Sequence, residues 1–103
     1  MIARTWHGVV LAEKADTYYE FLLQSGIHDY KATEGNRGVF VLRRNEDDKT
    51  HFLIVTLWDS MEAIKRFAGD EPEKAHYYPE DKDFLLEFEE FVHHYDALFT
   101  EFR

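Results

Sequence analysis

The segment Phe52–Trp58, which reads FLIVTLW, restricts the fold more than any other part of the chain. It is almost continuously apolar and lacks the alternation of polar and apolar side chains that marks a strand with one face in water. Such a strand is covered on both faces of its sheet. The fold must therefore supply a layer of helices for one face and a second layer for the other.

The first half of the chain alternates between strand and helix signals. Residues 2–11 mix β-branched and aromatic side chains with polar ones and predict a first strand. Residues 13–26 carry apolar side chains at helical spacing and predict a helix that ends at Gly26 in a left-handed cap. Residues 39–44 and 50–58 flank a polar turn and predict an antiparallel hairpin.

The second half supplies one more helix and one more strand. Asp59 and Glu62 form a capping-box pattern, and Gly69 ends the apolar stripe that follows, so this stretch predicts the second helix. Two prolines make residues 70–90 an irregular connection, and residues 91–99 predict the last strand. The order strand, helix, strand, strand, helix, strand is that of a ferredoxin-like α+β fold with a four-stranded antiparallel sheet.

Residues 1–103 are predicted to form one domain of this type, because the chain is short and shows no repeat or low-complexity segment. The helices of a ferredoxin-like fold cover only one face of the sheet. The second layer that FLIVTLW requires then comes from a second copy of the chain. The sequence therefore predicts a homodimer.

The charge balance argues against several classes of partner. The chain has 12 Lys and Arg against 21 Asp and Glu, a formal net charge of −9. Such a chain repels nucleic-acid backbones and anionic membrane surfaces, and no segment reaches the roughly 20 apolar residues of a membrane span. The first apolar run carries Arg4 and His7 and no cleavage pattern follows it, so a cytoplasmic location is expected.

Metal chemistry is not expected either. The chain has no cysteine, which removes thiolate ligands and thiolate nucleophiles. Its histidines do not follow the H-x-x-x-H or H-x-x-E-H spacing of metal sites, and the neighbours His93 and His94 point to opposite faces of a strand. The sequence therefore predicts neither a metal site nor a cofactor.

Trp58 and His94 are the candidate catalytic residues. Trp58 ends the third strand, where its indole can line a cavity between sheet and helices; alternatively, it is a large core residue whose N–H is satisfied locally. His94 and Asp96 lie two apart on a strand and share a face, so the carboxylate can orient the imidazole as a proton acceptor. The alternative for this pair is a buried hydrogen-bonded couple without a catalytic role.

Tyr77, Tyr78 and His76 are the candidate substrate-binding residues, together with Asp96. The first three lie in the connection after the second helix, where phenol and imidazole groups can form a flap over the cavity and hold a polar substrate. A tyrosine pair before a proline is also an ordinary hydrophobic plug. Both interpretations stay open on the sequence alone.

Four phrases of the sequence together resemble the antibiotic-biosynthesis-monooxygenase-like family of the dimeric α/β-barrel superfamily. They are YEFLLQSGIHDYKAT, GNRGVFVLRR, HFLIVTLWDSMEAIKRFAGDEPEKA and YYPEDKDFLLEFEEFVHHY. The resemblance covers nearly the whole chain and implies a barrel built from two four-stranded sheets packed face to face. It also implies that Trp58, at the end of the third strand, borders a substrate pocket.

The resemblance does not select one activity, because the family includes cofactor-independent oxygenases, haem-degrading enzymes and proteins without a known reaction. The expected function is a cofactor-independent monooxygenase that acts on a small aromatic or enolisable substrate. The alternative is a non-catalytic dimeric module that binds a small apolar molecule or serves in a stress response. An open cavity of some hundreds of Å³ with His94 facing it favours the enzyme, and a sealed core favours the module.

A haem-degrading enzyme is the third alternative. The resemblance implies for such relatives an asparagine on the first strand, a tryptophan at the end of the third strand and a histidine ligand on the second helix. Here the first strand has no asparagine, and His76 falls beyond Gly69, where the helix is predicted to end. Trp58 alone matches, so the resemblance argues against haem.

Overall fold

The protein is built on a sheet of four strands. A computed structural model describes all 103 residues. The strands are β1 (Ile2–Leu11), β2 (Asn36–Glu46), β3 (Lys49–Trp58) and β4 (His93–Asp96). They follow the order β2-β3-β1-β4, and all neighbouring pairs are antiparallel. The predicted ferredoxin-like α+β fold is confirmed, with the first and third strands at the centre.

Three α-helices cover one face of this sheet: α1 (Ala15–Gln24), α2 (Gly26–Ala32) and α3 (Met61–Ala68). Two short 3₁₀ turns, Ala12–Lys14 and Pro79–Asp83, lie in the connections. The main core forms between helices and sheet, and its side chains on β1 and β3 all stand at even-numbered positions, because alternate residues of a strand share a face. None of the helices is long and apolar enough to cross a membrane.

The first predicted helix, residues 13–26, corresponds to α1, and a further helix that the sequence did not predict, α2, follows it directly. The chain turns at Ser25 (φ −110°, ψ −98°), whose hydroxyl donates to the Phe21 carbonyl at 2.8 Å, and α2 begins at the next residue. The left-handed cap predicted at Gly26 was wrong, because Gly26 is helical and has no positive φ. The helix α2 forms because Ile27 and Tyr30 stand three residues apart and both bury their side chains against the sheet.

The helix α3 begins slightly later than predicted. Ser60 is its N-cap, and the Ser60 hydroxyl accepts a hydrogen bond from the Ala63 N–H at 3.2 Å. Asp59, the predicted cap, instead forms a two-point ion pair with Arg37 at 2.7 and 2.8 Å. Gly69 ends the helix with a φ of 81°, as the sequence predicts.

The strand β4 is shorter than the predicted 91–99. Just before it, the Val92 N–H donates to the Glu73 carbonyl, and the Ala75 N–H donates to the Glu90 carbonyl, both at 2.9 Å. The chain ahead of β4 therefore pairs with the connection after α3 instead of with β1. This pairing holds the connection beside the edge strand of the sheet.

The other face of the sheet carries no helix, and we call it the open face. Its side chains come from odd-numbered positions of β1 and β3 and from the residues paired with them. Three large side chains on it are well exposed: Leu42 at 50%, Leu53 at 39% and Tyr95 at 57%. The C-terminal segment crosses this face, because it leaves β4 at one edge while Phe102 stacks on Phe40 of β2 at the other edge.

A chain of polar side chains also lies on the open face. His7 Nε2 and His51 Nδ1 are 2.9 Å apart, and His51 Nε2 lies 3.2 Å from a Glu46 oxygen. His7 Nδ1 is hydrogen-bonded to Glu89. Any layer that covers the open face therefore also covers titratable groups.

Candidate functional site

The helix-covered face of β1 and β4 carries two polar residues side by side. Arg4 and His94 are paired in the β1–β4 register, so their side chains share a face. The Nε atom of Arg4 and the Nε2 atom of His94 are the two buried side-chain polar atoms that have no hydrogen-bond partner. Buried polar atoms are nearly always paired. The two atoms therefore mark a candidate site.

The Arg4 side chain is 2% exposed and is held by backbone and ring contacts. Its Nη2 donates to the carbonyl of Lys74 at 3.1 Å and to that of Pro72 at 3.5 Å, and its Cζ lies 5.5 Å from the centre of the Phe67 ring. None of the ion pairs in the structure includes Arg4. Burial lowers the pKa of Arg4. Arg4 is thus a buried cation without a carboxylate partner.

The surroundings of His94 favour its neutral form. Burial lowers its pKa below the usual value, and the Arg4 cation lowers that pKa further. Asp96 lies on the same face at the exposed end of β4, where it makes no hydrogen bond to His94. The structure therefore brings His94 next to Arg4 and leaves Asp96 apart.

Trp58 is fully buried at the end of β3. Its Nε1 donates to Thr56 Oγ1 at 2.8 Å, and its ring packs against Tyr30 and Phe67 at centroid distances of 6.4 and 6.2 Å. Phe67 also lies under Arg4, so one side chain separates the indole from the guanidinium. Trp58 therefore contributes aromatic surface next to the site, while its N–H is satisfied locally.

His76 and Tyr78 close the site from the side of the connection. The His76 ring stands edge-on to Phe67 and Tyr78, at centroid distances of 5.4 and 5.0 Å. The Tyr78 hydroxyl donates to the carboxylate of Asp29 on α2. Burial raises the pKa of Tyr78, and the hydrogen bond to Asp29 raises it further, while the same bond lowers the pKa of Asp29. A neutral phenol bound to a charged carboxylate thus ties the connection to the helix layer.

Tyr77 points elsewhere. Its hydroxyl donates to the Glu89 carbonyl at 2.7 Å and accepts from Trp6 Nε1 at 3.4 Å. Its ring stands edge-on to Trp6 and Phe88, and burial raises its pKa. Tyr77 therefore anchors the connection against Trp6 and does not face the cavity.

Arg4 and Asp81 were not predicted as site residues. Asp81 is 3% exposed and accepts hydrogen bonds from the Tyr18 hydroxyl at 2.9 Å and from the Tyr78 N–H at 2.7 Å. Burial raises the pKa of Asp81. An acid three residues after Tyr78 matches the capping-box spacing, so a sequence signal for this position existed. Arg4 gives no such signal, because a charged residue in a strand ordinarily faces water.

A cavity joins several of these groups. It measures about 20 Å³, which is room for about one water molecule. Its lining residues come from both central strands, both N-terminal helices and the connection: Arg4, Trp6, Tyr18, Leu22, Gly26, Tyr30, Ile54, His76, Tyr78 and Asp81. Of the predicted site residues, His76 and Tyr78 line this cavity, whereas Trp58, Tyr77, His94 and Asp96 do not. The larger depressions on the surface, up to about 440 Å³ in volume, are lined by none of the predicted site residues.

The residues present do not fit a haem group. Pockets for ligands of that size measure several hundred Å³, far more than the cavity beside Arg4. His76 is packed between Phe67 and Tyr78 and lies outside α3. No group of three or more His, Asp or Glu side chains is arranged to hold a metal ion. No step of haem chemistry follows from this site.

Two solved structures share the fold. One is a candidate antibiotic biosynthesis monooxygenase from Bacillus cereus, with 18% identity, 97% of each chain covered and a TM-score of 0.65. The other is a variant of MhuD with two manganese protoporphyrin IX molecules bound per active site, with 16% identity, 100% of each chain covered and a TM-score of 0.62. At such identities the likeness shows the fold alone. A search of curated proteins finds no match.

The family assignment comes from the sequence. The sequence model of the antibiotic biosynthesis monooxygenase family matches residues 10–77, which is more than half of the chain. The matched region includes both N-terminal helices, the hairpin, α3 and the first part of the connection. The chain therefore belongs to the antibiotic biosynthesis monooxygenase family.

Proposed function

We propose that the protein is a cofactor-independent monooxygenase that acts on a small aromatic or enolisable molecule. The observation that carries the proposal is the unpaired Nε2 atom of His94 beside the buried Arg4 cation. A neutral imidazole with a free nitrogen can accept a proton, and a neighbouring cation stabilises the anion that proton removal creates. Membership of the family supports this class of reaction.

The reaction balances without a cofactor. His94 takes the proton of a phenol or enol, and the resulting anion is electron-rich enough to react with O₂. For a phenol with a free para carbon, one atom of O₂ becomes the second carbonyl oxygen of a quinone. The other atom leaves as water with the phenolic and the para hydrogen. The substrate loses four electrons and O₂ gains four, so no external reductant is needed.

The remaining predicted residues take supporting parts in this proposal. Trp58 packs behind Phe67 and so supports the aromatic side chains next to Arg4 without facing the reactive anion itself. His76 and Tyr78 form the flap over the cavity, and Tyr77 anchors that flap from outside. Asp96 takes no part in the chemistry, because it is exposed and makes no hydrogen bond to His94.

Substrate entry requires the flap to open, because the cavity of about 20 Å³ is too small for an aromatic ring. The hydrogen bond from Tyr78 to Asp29 joins the flap to α2. Breaking this bond separates the connection from the helix layer at the cavity. We infer that the protein alternates between this closed form and a form that admits substrate.

The test is oxygen uptake with 1-naphthol and with acetylacetone, an aromatic and an enolisable probe. We expect uptake by the wild-type protein and its loss in His94→Gln, because glutamine cannot take up the proton. His93→Gln is the matched control, since its side chain points to the open face and its loss should leave uptake unchanged. Equal uptake in His94→Gln and the wild type would remove His94 as the base.

A second candidate is a non-catalytic dimeric module that binds a small molecule. The small volume of the cavity, about 20 Å³, the absence of His94 from its lining and the locally satisfied N–H of Trp58 favour it. In this case a probe quenches tryptophan fluorescence in a saturable way, but no oxygen is consumed. Uptake that depends on His94 excludes this candidate.

The proposal includes a homodimer formed through the open face. Proteins of this family are typically dimeric. The open face exposes Leu42, Leu53 and Tyr95, and a second copy of the same face would bury them together with the paired His7 and His51. The proposal places this dimer in the cytoplasm, as the sequence predicts.

A further inference from the structure

We propose that Arg4 makes the site selective for an aromatic ligand that carries one anionic oxygen group, either a carboxylate or a phenolate. The inference rests on the location of the proposed site, but it concerns binding and not the reaction. It names the charge of the ligand, which neither the fold nor the family determines. Three features of the surroundings of Arg4 support it.

The first feature is the unbalanced charge. Arg4 is the only buried basic residue, and its guanidinium contacts two backbone carbonyls and the face of Phe67 and lies near the Tyr30 hydroxyl. These neighbours offer partial negative charge, and none offers a full one. A buried charge is strongly destabilised unless it is paired, so an anion that reaches Arg4 gains an interaction that it does not find in water.

The second feature is that the nearby buried acid is already occupied. Asp81 lines the same cavity, but its two oxygens accept from the Tyr18 hydroxyl and the Tyr78 N–H. Asp81 forms no ion pair with Arg4. Asp81 is therefore not the counter-ion of Arg4.

The third feature is the set of groups around the free Nε of Arg4. This N–H is a donor without an acceptor, and the unpaired Nε2 of His94 lies on the neighbouring strand of the same face. Trp6 and Tyr30 line the cavity beside Arg4, and Phe67 lies against the guanidinium. A donor for an anionic oxygen among aromatic rings fits an aromatic acid or a phenolate.

The surface of the protein works against non-specific anion binding. The chain has a formal net charge of −9, so anions are repelled at long range. A preference for an anionic ligand over its neutral analogue must then arise at the local cation. A measured preference for the anionic ligand over its neutral analogue can therefore be attributed to Arg4.

The experiment compares the affinity of the protein for benzoate with its affinity for benzamide, an uncharged analogue of the same shape. Both affinities are measured by isothermal titration calorimetry at about pH 8, because benzoate is ionised and histidines are neutral at that pH. We expect the wild-type protein to bind benzoate roughly tenfold more tightly than benzamide. Arg4→Met keeps the length of the side chain without its charge and should lose this preference. Arg37→Met is the matched control, because Arg37 is an exposed arginine paired with Asp59 and should leave the preference intact.

Several outcomes overturn the proposal. These are a wild-type protein that binds both probes equally or binds neither in the millimolar range, and an Arg4→Met protein that still prefers benzoate. If Arg4→Met fails to fold, Arg4→Lys replaces it. Lysine carries its charge on a shorter and differently shaped group, so this substitution should weaken benzoate binding more than benzamide binding. Equal weakening of the two affinities contradicts the proposal. Benzoate binding involves no oxygen uptake, so this result and the test of the monooxygenase reaction fail independently.

Discussion

Single residues of this protein differ in how their buried polar atoms are satisfied. The N–H of Trp58 is bound by Thr56, and the hydroxyl of Tyr18 is bound by Asp81. The hydrogen bonds of these two buried groups are satisfied within the core. Arg4 Nε and His94 Nε2 have no partner, although they lie on neighbouring strands of the same sheet face. An unsatisfied pair of this kind costs stability, so its presence is better explained by binding than by packing.

At this scale, His94 should make the protein less stable in mild acid. Its folded pKa is lowered by burial and by Arg4, so the unfolded chain binds the proton more readily. The stability that neutral His94 contributes is therefore fully present above the unfolded pKa of about 6.5 and is lost as the pH falls through the folded value. Urea unfolding at a series of pH values measures this loss.

Two variants separate the contribution of His94 to this pH dependence from the contributions of the carboxylates and the other histidines. The decrease in the free energy of unfolding between about pH 7.5 and 5.5 should be smaller in His94→Gln than in the wild type. His93→Gln, which changes a side chain of the open face, should retain the wild-type slope. Asp81 is present in all three proteins, so the opposite effect of its raised pKa cancels from the comparison. Parallel curves for the wild type and His94→Gln would contradict the role of burial.

At the scale of elements, the hairpin and α3 meet through a close backbone approach. Gly35 has a φ of 95°, and a Cβ atom there would overlap the Cβ of Ala63 on α3. Gly69, at the end of the same helix, has a φ of 81°, but a Cβ atom there would meet nothing within 4 Å. The two glycines thus share the backbone requirement and differ in the space around them.

These two positions give a matched pair of substitutions. Gly69→Ala should cost about 1 to 3 kcal/mol, the price of an alanine in a region of φ that glycine prefers. Gly35→Ala should cost clearly more, because α3 must also move away from the start of β2. The free energy of unfolding in urea measures both losses. Equal losses would show that α3 shifts without cost and that the approach at Gly35 is not tight.

At the scale of the whole molecule, we expect the open face to be the interface of a homodimer. Leu53 stands on the central strand β3, opposite His7 of β1 and Leu42 of β2. A charge at this position would be buried in a dimer that uses the open face, at a cost that an unpaired buried charge cannot recover. The same charge on the helix side of the molecule would stay in water.

Sedimentation of Leu53→Asp and Leu23→Asp tests this assembly. Leu53 and Leu23 are 39% and 44% exposed, so the two substitutions start from similar surroundings, but Leu23 lies on α1. We expect a dimer for the wild-type protein and for Leu23→Asp, and a monomer for Leu53→Asp. A wild-type monomer, or equal effects of the two substitutions, would rule out the open face as the interface.

The sequence by itself determined the order of elements, because periodicity and caps are local. The alternation along β1 and the continuous apolar run of β3 identified the two central strands, and Gly69 marked the end of α3. Local signals missed α2, because Gly26 resembles a cap, whereas burial of Ile27 and Tyr30 lets a second helix follow α1 directly.

Only the tertiary structure decided which polar groups meet. Arg4 and His94 are far apart in the sequence and become neighbours through the β1–β4 register, which no local pattern encodes. The pairing of residues just before β4 with the connection shortens that strand and places two carbonyls where Arg4 donates to them. Spacing within β4 predicted that His94 and Asp96 share a face and proposed Asp96 as the partner of His94, but it left open which face of the sheet that is. A strand pattern shows which side chains share a face, whereas the layer they point to and the partners they meet depend on the neighbouring strand and on what covers it.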